Sequence, residues 1–84
     1  MQKEDFYNHR VIISYSIEHL TKTEKVKFFY ALKGRNGNEG FLIKNNIKQL
    51  GRAVLLVPVE HKSQTINFLK LWTCRFEKQE VLLV

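Results

Sequence analysis

An α+β fold, with two helices laid against a small antiparallel sheet, is what this sequence predicts. Three observations carry the prediction. Val11, Ile13, Tyr15 and Ile17 alternate with Ile12, Ser14 and Ser16, the period of two that marks a half-buried strand. A run from Lys22 to Lys33 repeats its apolar residues at helical spacing behind a capping sequence. The β-branched and aliphatic run Arg52–Val57 stops at Pro58, and a second helical period follows it.

Taken in order, residues 1–8 read as a poorly ordered lead-in and residues 9–84 as one domain. After the first strand, Thr21 followed three residues later by Glu24 matches the capping box, with Thr23 as an alternative cap. Val26, Phe28, Phe29, Tyr30 and Leu32 then fall on one broad arc, with Glu24, Lys27 and Ala31 outward, and Gly34 is placed to be a left-handed C-cap. Gly34–Gly40 reads as a loop. Phe41-Leu42-Ile43 is expected to form a short strand, with one helical turn as the competing possibility, and Ile47–Leu50 is too short to classify. Arg52–Val57 reads as a strand buried on both faces. The second helix is expected from Val59–Glu60 to Leu71, with Ile66, Phe68, Leu69 and Trp72 on one side and Pro58 suited to its start. Thr73–Phe76 then reads as strand, Glu77–Glu80 as a polar turn or bulge, and Val81–Val84 as further strand. Strand, helix, weak strand, strong strand, helix, strand is the order of the ferredoxin-like split β-α-β plan (βαββαβ), with both helices on one face and the second strand weak.

Composition bounds the function. The chain has 84 residues, 44% of them hydrophobic, enough for one modest core and a stability expected to be about 5 kcal/mol. The single cysteine, Cys74, excludes an internal disulfide and suits a reducing compartment, so a cytoplasmic location is expected. The longest unbroken apolar run, Ala53–Val57, is far short of the roughly 20 residues that span a bilayer. His9, His19 and His61 are scattered and no metal-ligand spacing exists, so no cofactor is expected.

The formal charge is +6 and the pI about 9.7, a statement about partners rather than fold. Most of that charge sits in one segment. Between Lys33 and Arg52, five basic residues stand against one acid, Glu39, and all four glycines fall in the same stretch. Glycines permit close backbone approach and clustered cations attract polyanions. The reading is therefore a small nucleic-acid-binding domain, RNA slightly favoured over DNA. Lys33, Arg35, Lys44, Lys48 and Arg52 would contact phosphates. Asn36 and Asn38 would reach sugars or base edges, and Tyr30 and Phe41 would be the stacking candidates. Lys44, Lys48 and Arg52 are spaced by four, which would make a cationic ridge if they shared a helix.

Several chemistries are disfavoured. Gly34–Gly40 follows a helix and lacks the Gly-Lys-Ser/Thr ending of a P-loop. Gly51–Val57 carries no aromatic platform, so the order of elements resembles an RNA recognition motif but its stacking mechanism does not transfer. Phe28, Phe29, Phe68 and Trp72 have the spacing of core residues. A small metal-dependent nuclease, or an accessory subunit of one, has only Glu18, with His19 beside it, and Asp5 to draw on. The other alternative to nucleic-acid binding is a homodimeric interaction or regulatory module joined through edge strands or through Val81–Val84.

Overall fold

The computed structural model describes residues 9–82. The expected lead-in over residues 1–8 and the end of the Val81–Val84 run lie outside the described residues. The elements are β1 (His9–Ser16), α1 (Lys22–Lys33), β2 (Gly34–Arg35), β3 (Asn38–Glu39), α2 (Phe41–Lys44), β4 (Lys48–Gly51), β5 (Val54–Pro58), a 3₁₀ turn (Val59–His61), α3 (Lys62–Leu71) and β6 (Arg75–Leu82). Four strands make an antiparallel sheet in the order β4-β5-β1-β6, and β2 and β3 form a separate two-stranded hairpin.

Alternation along the strands sorts the sheet into two faces. Val11, Ile13 and Tyr15 of β1 and Leu55 and Val57 of β5 are buried, whereas Ile12, Ser14, Leu56 and Val54 between them are half-buried. Register confirms the sorting, because Val11 faces Val57 and Ile13 faces Leu55, while Ile12 faces Leu56. Facing residues in an antiparallel pair share a side of the sheet. The buried side meets Phe28 and Leu32 of α1, Leu69 of α3, and Leu20, Leu42, Ile47 and Cys74. Phe28 is the centre of this core. Its ring lies 5.5–5.7 Å from those of Tyr15, Phe29, Phe68 and Trp72, so one side chain ties β1 to both long helices. Burial pushes the Cys74 thiol above its ordinary pKa, and burial together with Cys74 does the same to the Tyr15 phenol.

Helix α1 has the expected bounds and start. The Thr21 hydroxyl accepts from the Glu24 N–H at 3.1 Å, and the Thr21 N–H donates to the Glu24 carboxylate at 2.8 Å. Its arc is narrower than expected: Val26 is 45% and Tyr30 42% exposed. Gly34 caps the helix at φ 91° but with ψ 166°, so the chain leaves straight into β2 instead of curling through a left-handed turn.

Three expectations about the later elements need correction. Phe41–Lys44 is a helical turn, not a strand, and the strand that pairs outside β5 at one edge of the sheet is Lys48–Gly51. The turn is closed by Ile47 N–H donating to Leu42 C=O and Asn46 N–H to Ile43 C=O, with Asn46 at φ 53°. That is a Schellman ending with asparagine supplying the left-handed residue. It buries Leu42 and turns Ile43 outward. Secondly, β5 runs from Val54 to Pro58, with Leu55 and Val57 buried on one face and Val54 and Leu56 only half-buried on the other. Thirdly, β6 runs unbroken from Arg75 to Leu82, pairing residue by residue with Ser16 back to His9. Its charged middle reads as a turn in sequence because an edge strand can keep charge in solvent. Helix α3 opens through the 3₁₀ turn and closes in a second Schellman ending, Cys74 N–H to Leu69 C=O and Thr73 N–H to Lys70 C=O. The left-handed residue there is Thr73, at φ 54°.

Candidate nucleic-acid interface

The two-residue connection Asn36-Gly37 builds the centre of the basic segment. Asn36 and Gly37 sit at φ 52° and 83°, the pair of positive angles that a tight hairpin turn of matching twist requires. Gly34 then faces Glu39 and Arg35 faces Asn38. Gly34–Gly40 is therefore a folded hairpin rather than an open loop. Its base is closed by two glycines: a Cβ on Gly40 would lie 2.3 Å from Gly34 N and Lys33 C, and one on Gly34 would lie 2.3 Å from Asn38 O. The backbones meet there because neither residue has a side chain.

This hairpin presents cations and amides together. The Arg35 guanidinium lies over the Tyr30 ring at 4.3 Å from its centroid, and the Lys33 ammonium over the Phe29 ring at 5.1 Å. Arg35, Asn36 and Asn38 are exposed, as are Lys33 and Tyr30. A guanidinium held over a ring gains cation–π attraction while keeping N–H donors for another partner.

The remaining candidates are spread over other elements. Lys44 ends α2, Lys48 begins β4 opposite Leu56, and Arg52 stands in the turn between β4 and β5. They do not form a helical ridge, since their spacing of four crosses from helix to strand to turn. All three are exposed. Phe41 is half-buried, with its ring stacked on Phe68 at 4.4 Å and 23°, so one of its faces is already taken. Among the described residues, no ion pair engages any of the five cations; the pairs formed are His9–Glu80 at 3.3 Å and Lys62–Glu80 at 3.6 Å.

A second concavity lies at the opposite edge of the sheet. Two hollows of about 630 and 500 Å³ share Ser16 and Arg75. Ser14 and Glu77 line the larger, and Glu18, His19 and Thr73 the smaller. His19 Nε2 is 2.9 Å from the Trp72 carbonyl, which places this imidazole against the end of α3. Sequence spacing hides this grouping, because Ser16 and Arg75 meet only through the β1–β6 register. Among the described residues, no three His, Cys, Asp or Glu side chains stand close enough to hold a metal ion together. No described helix is long and apolar enough to cross a membrane.

Comparison with known proteins finds no matching family model, no matching characterised protein and no matching solved structure.

Proposed function

We propose that the domain binds nucleic acid through the β2–β3 hairpin and the basic residues that follow it. The reading rests above all on Arg35: a guanidinium over the ring of an exposed tyrosine, flanked by Lys33, Asn36 and Asn38 and engaged by no acid among the described residues. An arginine–aromatic pair offers a flat surface for a base and N–H donors for a phosphate, the two contacts on which single-stranded nucleic acids are held. RNA is favoured slightly over DNA, because no described element resembles a helix-turn-helix or a zinc module for the major groove. Lys44, Lys48 and Arg52 supply further phosphate contacts. The supporting frame is read as the split β-α-β plan: β1, α1, β4, β5, α3 and β6 follow it in order, with the hairpin and α2 inserted before its second strand.

Fluorescence anisotropy with labelled single-stranded RNA and DNA over a salt series tests this reading. Three to five neutralised phosphates give a log–log salt slope of about −2 to −5. Tyr30→Ala is expected to weaken binding by roughly 1–3 kcal/mol at constant salt slope, since it removes stacking and leaves the charge. Arg35→Ala with Lys44→Ala should weaken binding and flatten the slope. Affinity indifferent to salt, or unchanged in both variants, would refute the proposal.

A further inference from the structure

We infer that β6 is the docking edge for a second copy of this chain, in a single register centred on Gln79. The strand is the outermost of the sheet, eight residues long, and paired with β1 along its whole length without a shift. Its other side therefore carries a row of backbone donors and acceptors that no strand among the described residues takes up. The opposite edge, β4, is four residues long and its pairing is broken between Gln49 and Gly51. Shortness and irregularity are the usual protections of an edge. Among the described residues, the protection that β6 carries is its charge, and charge is selective.

Symmetry limits how two β6 strands can meet. A two-fold axis normal to the sheet keeps each face continuous across the junction, so a residue must oppose one of its own alternation class. Every allowed register is then centred on a residue that meets itself. Centres on Glu77, Lys78 or Glu80 place like charges directly opposite, which is unfavourable. Centres on Phe76 or Val81 overlap only short stretches of the strand. Gln79 alone is neutral and central. About it, the seven residues Phe76–Leu82 overlap, Lys78 opposes the partner's Glu80, Phe76 opposes the partner's Leu82, and each pair occurs twice.

This arrangement accounts for two features of the free chain. Leu82 is 65% exposed at the end of the strand, and the register covers it with an aromatic ring. Glu80, on the helix side of the sheet opposite Val11, already meets His9 and Lys62 and would gain the partner's Lys78. The joined sheet runs β4-β5-β1-β6 and back again, so β4 with Lys48 remains at each outer edge. The inference therefore goes beyond nucleic-acid binding and stands without it.

Sedimentation equilibrium of the full chain, from micromolar to sub-millimolar concentration, should show a monomer–dimer equilibrium. Lys78→Glu sets two repulsive pairs where there were two attractive ones and should weaken the dimer about tenfold or more. Adding Glu80→Lys to it should restore association, which a merely unfolded variant would not do. Gln79→Cys should oxidise to a covalent dimer, because directly opposed Cα atoms in an antiparallel pair, roughly 4.5–5.5 Å apart, lie within disulfide reach. Glu77→Cys, which carries the same buried Cys74 but faces the partner's Val81, should not. A monomer at every concentration, a dimer insensitive to Lys78→Glu, or equal cross-linking of the two cysteine variants would overturn the inference.

Discussion

Gly40 and Gly37 stand three residues apart in the same hairpin, and they are glycine for different reasons. At Gly37 the constraint is angular: φ is 83°, and a Cβ would meet no atom within 4 Å. At Gly40 the constraint is steric. The backbone, at φ −84°, suits any residue, but a Cβ would press against Lys33, Gly34 and the Leu32 carbonyl, all main-chain atoms. Main chain cannot swing away as a side-chain tip can. Gly40→Ala should therefore destabilise the domain by about 1–3 kcal/mol through forced displacement of the hairpin from the end of α1. Gly37→Asn should cost less than half as much, since asparagine tolerates the left-handed region. Denaturant unfolding of the two variants checks the ordering. Arg35 belongs to the same hairpin, so displacing its base in Gly40→Ala should also shift the guanidinium from the Tyr30 ring.

Among the elements, α1 shows local signals and tertiary packing in agreement. The Thr21 N–H, and after it the Thr21 hydroxyl, holds the Glu24 carboxyl below its usual pKa. A carboxylate whose folded pKa is depressed stabilises the fold above its unfolded pKa, and this contribution fades as pH falls through the folded value. Glu24→Gln should thus be less stable than the parent at neutral pH, with the difference shrinking once pH falls below the usual carboxylate range. Thermal melts across that acid window measure it. Such caps are contiguous in sequence, which is why α1 was legible to the residue. Asn36-Gly37 is a hairpin signal, but three glycines in seven residues make Gly34–Gly40 read as a loop, and the pairing of Arg35 with Asn38 is seen only in the fold. Phe41–Ile43 failed for another reason. Three apolar residues suit a strand or a turn equally, and the choice was made by Asn46 closing a Schellman ending and by Leu42 finding the core. The middle of β6 reads as a turn because Glu77–Glu80 carry no apolar signal, and its pairing is fixed by β1, some sixty residues away in the chain. For the candidate interface, the residue types could be read in advance. The Arg35–Tyr30 pair and the spread of Lys44, Lys48 and Arg52 over three elements could not, because both depend on the folded chain path.

For the molecule as a whole, the open question is whether its charge acts as a field or as a site. A net +6 attracts any polyanion over about 8–10 Å at physiological salt, wherever the charges lie. A site requires particular side chains to touch phosphate. Two triple variants separate these, because each lowers the formal net charge to the same value. One replaces Arg35, Lys44 and Lys48 with glutamine; the other replaces Lys62, Lys70 and Arg75, which lie on α3 and β6. Lys62 takes part in a partly exposed ion pair with Glu80 at 3.6 Å, so its loss should change stability little. If the field dominates, both variants lose the same affinity and their salt slopes stay parallel. If the hairpin and following segment are the site, only the first variant flattens the slope, by about 2 to 2.7 for three lost phosphate contacts. The second should then differ from the parent mainly in association rate at low salt, where long-range attraction is least screened. Equal losses in the two variants would reduce the basic segment to a local excess of charge with no binding role of its own.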